Sequence, residues 1–191
     1  MERSIAQIAL FAAMIAALGL APQITLGFGV PITAQSLGVM LAGAVLGARR
    51  GAAAVGLFIL LVALGLPLLA GGRGGLGVFV SPTAGFALGF PVAAFATGLF
   101  VERVRLASAG LRAGLGAVFG GIGVLYLCGT VGLALVTGKS LFEALALVAI
   151  FIPGDLVKAA MTGILVQALS KVRPETLAWH RGPAGAGGRR L

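Results

Sequence analysis

The chain has 191 residues, 59% of them hydrophobic and 10% charged, with a formal net charge of +9. A soluble domain carries about 25% charged residues, so a water-facing surface cannot be built from this composition, and a mean hydropathy of +1.11 places most of the chain in a lipid bilayer. The basic residues are scattered between apolar runs without aromatic interleaving, which excludes nucleic-acid binding, while a lone cysteine (Cys128) and a lone histidine (His180) exclude an internal disulfide, a multi-cysteine or histidine metal centre and a histidine triad.

A spanning helix needs about 20 mostly apolar residues, and the pattern predicts an all-α polytopic membrane protein with six transmembrane helices. The first apolar run, Ile5–Ala21, has no clear cleavage pattern and reads as a retained span that ends at Pro22. The second, Ile32–Ala48, follows Pro31 and stops at Arg49-Arg50; the third is Gly51–Ala70, followed by Gly71-Gly72-Arg73-Gly74-Gly75. Thr83–Val101 is the fourth, closed by Glu102-Arg103, and Ala113–Thr137 is the fifth. Ser140-x-x-Glu143 is a capping box that starts a helix near Leu141. That helix meets Pro153 after roughly 18 Å, too short to cross, and Pro153 suits the first turn of a new helix over Gly154–Lys171. Leu141–Ile152 is therefore expected as a short helix at the membrane face leading into the sixth span, the alternative being one long kinked helix. The membrane domain covers residues 1–173, and the Gly-, Pro- and Arg-rich tail 174–191 is expected to be disordered, with Trp179 at the headgroups.

With the N-terminus in the cytoplasm, eleven basic residues fall on the cytoplasmic side and two, Arg73 and Lys139, on the other. The positive-inside bias thus puts both termini in the cytoplasm. Asp155 and Lys158 are the charges inside a span. Such residues face a bundle interior or cavity, and three-residue spacing puts both on one helix face. A polar ligand site at the outer end of the bundle is the functional reading: Asp155 accepts N–H bonds from a ligand and Lys158 pairs with a ligand carboxylate, aided by the helix N-terminus. A mutual ion pair that holds the bundle together is the alternative.

Other segments reach the same side. Thr33 and Gln35, in Pro31-Ile32-Thr33-Ala34-Gln35, open the second span, where Gln35 offers both donors and acceptors or is an ordinary helix-start amide. The run from Gly71 to Thr83 contains Arg73 and Gly75; its glycines let backbone fold close over a small ligand, or make a flexible loop. Arg73 is the second candidate for a carboxylate, and Phe79, Phe86 and Phe90 are candidate apolar walls. Gly132 to Ser140 mimics a phosphate-binding loop but has five residues between its glycines where four are required, so no nucleotide site is expected. On the first span Ala9, Ala13 and Ala17 form a four-residue stripe, with a second row at Ala12 and Ala16, suited to a partner helix or to internal packing. No nucleophile–base pair, paired acids or metal cluster is visible, so an enzyme is not expected.

Ile152-Pro153-Gly154-Asp155-Leu156-Val157-Lys158 resembles the P-G-D-x-x-K signature of the BioY family, the biotin-specific S components of energy-coupling factor transporters. Ser81-Pro82-Thr83-Ala84-Gly85-Phe86 resembles that family's G-P-T-G-G-Y-type segment, and Pro31-Ile32-Thr33-Ala34-Gln35 its P-I-T-x-Q segment. Ser81, Ala84 and Phe86 depart from the pattern, and Phe86 lacks the hydroxyl of the tyrosine it replaces. The resemblance implies the six-helix S-component fold and a high-affinity biotin-binding subunit of a bacterial cell (inner) membrane. Its implied partners are a transmembrane coupling protein, facing the Ala9–Ala13–Ala17 stripe, and two ATP-binding subunits. It implies no cofactor, biotin being the transported ligand. The runners-up are an S component for another vitamin such as thiamine and a non-transport structural membrane protein.

Overall fold

A computed structural model describes residues 2–25, 27 and 30–179; residues 180–191, with His180, Arg181, Arg189 and Arg190, lie outside the described residues. Among these, four helical runs are long and apolar enough to cross a membrane: Gln35–Ala63, Ala84–Arg103, Ala109–Thr137 and Leu141–Val172, with the shorter apolar Ser4–Leu18 beside them. Large apolar side chains such as Leu64 (70% exposed), Leu135 (79%) and Phe142 (81%) point out of the bundle, as a lipid-facing surface requires.

Helix α1 (Glu2–Leu18) starts and stops three residues before the expected span, and Gly19-Leu20 turns the chain out of it. A two-stranded antiparallel ribbon follows, β1 (Ile24–Thr25) against β2 (Pro31–Ile32), so the second span starts later than expected, at Gln35. Helix α2 (Gln35–Ala63) is bent back on itself at Gly47, whose φ of 78° lies outside the helical region. Its two arms pack together: a methyl on Gly51 would stand 2.8 Å from the Ala42 carbonyl oxygen. That approach is impossible along one straight helix, where nine residues span about 13 Å. A side chain at Gly47 would also meet the Glu102 carboxylate, so glycine is required there twice over.

The second arm ends at Ala63, seven residues before the expected limit. Gly65, with φ 104°, and Pro67 stop the helix although the sequence stays apolar through Ala70. A 3-10 turn (Leu76–Val80) leads to α3 (Ala84–Arg103), which matches the expected fourth span closely. Methyls on Gly43 and Gly98 would meet the Ala94 carbonyl and the Ala48 amide, so glycines set the close approach of α2 and α3.

The expected fifth span begins four residues early. Ser108 caps α4 (Ala109–Ala117), accepting the Leu111 N–H at 3.2 Å. Through a π-helical segment, Val118–Val124, α4 runs into α5 (Leu125–Thr137). The Ser140–Glu143 capping box is present and starts α6 (Leu141–Val148). One 3-10 turn, Ala149–Phe151, joins α6 to α7 (Ile152–Val172), which carries Pro153 in its first turn. The run is thus the long kinked helix and not a separate surface helix: Val148, Ala149 and Ile152 all keep right-handed helical backbone, so Pro153 continues the chain direction.

At one end of the bundle lie the Gly47 turn, the end of α3, the start of α4 and the end of α7. The Ala48 N–H donates to Glu102 Oε1 (2.9 Å), and the Ser108 hydroxyl and Gly110 N–H donate to Gln167 Oε1 (3.0 and 2.8 Å). Residues 174–179 close this end and are not the disordered tail expected from Pro174. Leu177 is buried, its neighbour Ala178 donates its N–H to Val45 O (3.0 Å), and Trp179 Nε1 donates to Ala44 O (2.7 Å). Those carbonyls belong to the last turn of the first α2 arm, where no helical partner exists. The Arg112 guanidinium sits 4.3 Å from the Trp179 ring centroid, so the indole is held at a helix end.

Candidate functional site

At the opposite end a pocket opens between the first turns of α2, α3 and α7, with about 590 Å³ of empty space including its mouth. Val30, Ile32, Leu69, Phe86, Ala87, Phe90, Leu125 and Phe151 form its apolar wall; Thr33, Gln35, Ser36, Arg73, Thr83, Asp155 and Lys158 supply the polar groups. Three segments far apart in sequence therefore converge, and Thr33, Gln35, Arg73, Thr83, Phe86, Phe90, Asp155 and Lys158 meet as expected.

Asp155 and Lys158 sit on the first two turns of α7, where Pro153 fixes the helix start. Lys158 Nζ donates to Asp155 Oδ1 (2.7 Å), Ser36 Oγ (2.9 Å) and Thr33 O (2.6 Å), so all three of its N–H groups are committed. Asp155, 5% exposed, also accepts the Ser36 hydroxyl at Oδ1 (3.1 Å) and the Tyr126 hydroxyl at Oδ2 (2.8 Å). An ionised carboxylate has about four acceptor positions, so one remains for a ligand donor. The ion pair is the only one among the described residues.

Arg73 approaches from the Gly-rich loop. Its Nε donates to Ala70 O (3.2 Å) and Nη1 to Thr83 Oγ1 (3.1 Å), which leaves three of its five N–H groups without a partner among the described residues. Burial lowers its pKa from the ordinary value, yet an arginine stays cationic. Thr83 is itself held by Ser81, whose Oγ stands 2.8 Å from Thr83 Oγ1. Ser81 thus anchors the threonine that anchors Arg73.

Gln35 lines the pocket but offers it little. Its Nε2 donates to Ile15 O (3.1 Å) and Leu68 O (3.0 Å), and its Oε1 accepts the Ala70 N–H (2.9 Å). The expected donor–acceptor group is instead a brace that ties α1, α2 and the Gly-rich loop together. Gly75 and Phe79 are not part of the pocket wall: the Gly75 N–H bonds Val62 O (2.7 Å), and Phe79 packs on the apolar core. The Phe86 ring stands edge-on to Phe151, 6.0 Å between centroids at 72°. Ser36, Tyr126 and Phe151 were not anticipated. Tyr126 is the single tyrosine of the chain, and its isolated hydroxyl in an apolar run was the one available signal. On α1, Ala9, Ala13 and Ala17 point out of the bundle, whereas Ala12 is buried.

Known proteins with this architecture give the pocket its context. The BioY family profile matches residues 2–175. The chain is 56% identical over 186 residues to the biotin transporter BioY of Rhodobacter capsulatus, covering 93% of this chain and 98% of that one. It is 54% identical to the biotin transporter BioY of Rhizobium etli over 173 residues, 87% of this chain and 92% of the other. A crystal structure of the S-component for biotin from an ECF-type ABC transporter superposes with a TM-score of 0.83 at 31% identity, covering 88% of this chain and 91% of that chain.

Proposed function

The chain belongs to the BioY family, and from that premise we propose that it is the biotin-binding membrane subunit of a vitamin uptake transporter, importing biotin with an energy-coupling module. It is a transport subunit and not an enzyme. The observation that carries the reading is the pocket itself, which the Asp155–Lys158 pair and Arg73 line together with aromatic and aliphatic side chains. Biotin has a ureido ring with two N–H donors and one acceptor, an apolar thioether ring and a carboxylate tail. Asp155 with its remaining acceptor position is assigned to a ureido N–H, and Phe86, Phe90 and Phe151 to the ring faces. Thr33, Gln35 and Thr83 are supports for these groups. The carboxylate is assigned to Arg73 ahead of Lys158, because three Arg73 N–H groups are unengaged and no Lys158 N–H is. Thiamine, a cation, is disfavoured by two basic groups at the site.

The six-helix count belongs to the same proposal: α1, the two arms of α2, α3, the α4–α5 run and the α6–α7 run make six crossings. The pocket end then faces outward and both termini face the cytoplasm of a bacterial inner membrane. The outward stripe Ala9–Ala13–Ala17 is the proposed seat of a transmembrane coupling protein, itself attached to two ATP-binding subunits. No cofactor is assigned.

Calorimetric titration of the purified chain in detergent with biotin and with biotin amide tests the reading. Wild type should bind biotin and prefer it to the amide. Arg73→Gln should lose most of that preference, since a charged hydrogen bond contributes about 1.5–3 kcal/mol, or roughly ten- to a hundredfold. Absence of biotin binding by wild type refutes the function; a preference kept by Arg73→Gln and lost by Lys158→Met moves the carboxylate to the lysine.

A further inference from the structure

The bundle end remote from the pocket has a notch between the Gly47 turn and the last turns of α3. Arg49, Arg50 and Arg103 stand at its rim, and Leu46, Phe95 and Leu99 line its wall. Arg50 Nη1 reaches only Gln7 Oε1, at 3.4 Å. Arg49 and Arg103 make no hydrogen bond or ion pair among the described residues. Glu102, the carboxylate that lines the notch with them, is no counter-ion either: its Oε1 accepts the Ala48 N–H and no guanidinium lies within ion-pair distance. Phe95, Leu99 and Arg103 follow one another at four-residue steps on α3, so they share a face about 12 Å long that is apolar at one end and cationic at the other. Phe95 is 41% exposed on that face.

We propose that this notch binds an anionic phospholipid, with the phosphate between Arg49 and Arg103 and an acyl chain along Phe95 and Leu99. Two planar guanidinium groups without carboxylate partners match the geometry of a phosphodiester. The adjoining apolar stripe lies where the first carbons of a chain enter the bilayer. A free anion would use the arginines and leave Phe95 and Leu99 unexplained, which favours the lipid. Basic loops draw anionic lipids through their summed charge alone, so the test must separate a built site from that diffuse field. Lys171 and Arg173 serve as the comparison, because they lie at the same bundle end outside the notch.

Thermal unfolding of the full chain in neutral detergent is measured with added phosphatidylglycerol, phosphatidylcholine or inorganic phosphate. Phosphatidylglycerol should raise the midpoint more than phosphatidylcholine in wild type and in Lys171→Gln/Arg173→Gln, and this preference should vanish in Arg49→Gln/Arg103→Gln. Equal loss in both double variants, loss in neither, or equal protection by inorganic phosphate overturns the proposal. Phe95→Ala keeps every charge and should weaken the protection; full protection in that variant rejects the acyl-chain seat. Native mass spectrometry of the single variants Arg49→Gln and Arg103→Gln gives a second reading should the double variant not fold: each should retain one phosphatidylglycerol fewer than wild type, and an unchanged number overturns the site. Biotin affinity should be the same in all of them, because the pocket lies at the other end, so this inference and the biotin reading fail independently.

Discussion

At the scale of single residues, the carboxylate of Asp155 shows what sequence spacing could and could not reveal. Its partnership with Lys158 was legible, because a three-residue step on a helix fixes a common face. Its contacts with Ser36 and Tyr126 were not, since they join positions 119 and 29 residues apart. Gln35 failed for a related reason: an amide at a helix start looks free until the carbonyls of Ile15 and Leu68 and the amide of Ala70 are folded against it. Tyr126 carries a direct prediction. Its hydroxyl is the only hydrogen-bond donor to Asp155 Oδ2 among the described residues. Tyr126→Phe keeps the ring and removes that donor, leaving a buried carboxylate oxygen unpaired, at a cost of about 1.5–3 kcal/mol for a charged hydrogen bond. Biotin affinity, read by calorimetry, should fall about ten- to a hundredfold. An unchanged affinity would show that the ligand never relied on the tyrosine to orient Asp155.

At the scale of elements, apolar runs located the helices and misplaced their ends. Pro67 and Gly65 stopped the second arm of α2 inside a run that stays apolar to Ala70, and Ser108 capped α4 ahead of the apolar run at Ala113. Both signals were present in the sequence and were outweighed by hydropathy. The π segment Val118–Val124 had no such signal, yet it is what precedes Leu125 and Tyr126 and sets the register with which Leu125 lines the pocket and Tyr126 reaches Asp155. Glycines then decide how near the elements come. A methyl at Gly129 would fall on the outer edge of the Phe86 ring, 2.7 Å from Cε2, and would push that ring toward the pocket. Alanine gains about 1 kcal/mol of helix propensity over glycine, whereas overpacking costs about 1–3 kcal/mol. Gly129→Ala should therefore change the unfolding midpoint little and lower biotin affinity severalfold. Gly56→Ala, where nothing stands within 4 Å of the new methyl, should raise the midpoint and leave affinity alone. Equal affinities in the two variants would mean that Phe86 does not shape the site.

At the scale of the whole molecule, the two ends of the bundle differ in charge. Arg49, Arg50, Arg103, Arg105, Arg112, Lys171 and Arg173 gather at the end closed by Leu177 and Trp179; Arg73, Lys139 and Lys158 belong to the pocket end. The charge asymmetry was legible because it needs only the order of spans, and the α2 reversal at Gly47 keeps that order even though the helix is continuous in hydrogen bonding on either side of the turn. Under the proposed orientation the arginine-rich end lies in the cytoplasm, as the positive-inside rule predicts, and the pocket opens to the outside. Reporter positions for testing this must tolerate a side chain. Gly51 and Gly74 do not, since their new Cβ atoms would strike the Ala42 and Leu66 carbonyls. Gly77 is exposed with no atom within 4 Å of a Cβ, and Ala107 is exposed in the loop between α3 and α4. In a Cys128→Ser background, Gly77→Cys in intact cells should react with an impermeant thiol reagent, and Ala107→Cys should react only after the membrane is opened. The reverse pattern would turn the molecule over, and a pocket facing the cytoplasm could not take up a vitamin from outside in the state described.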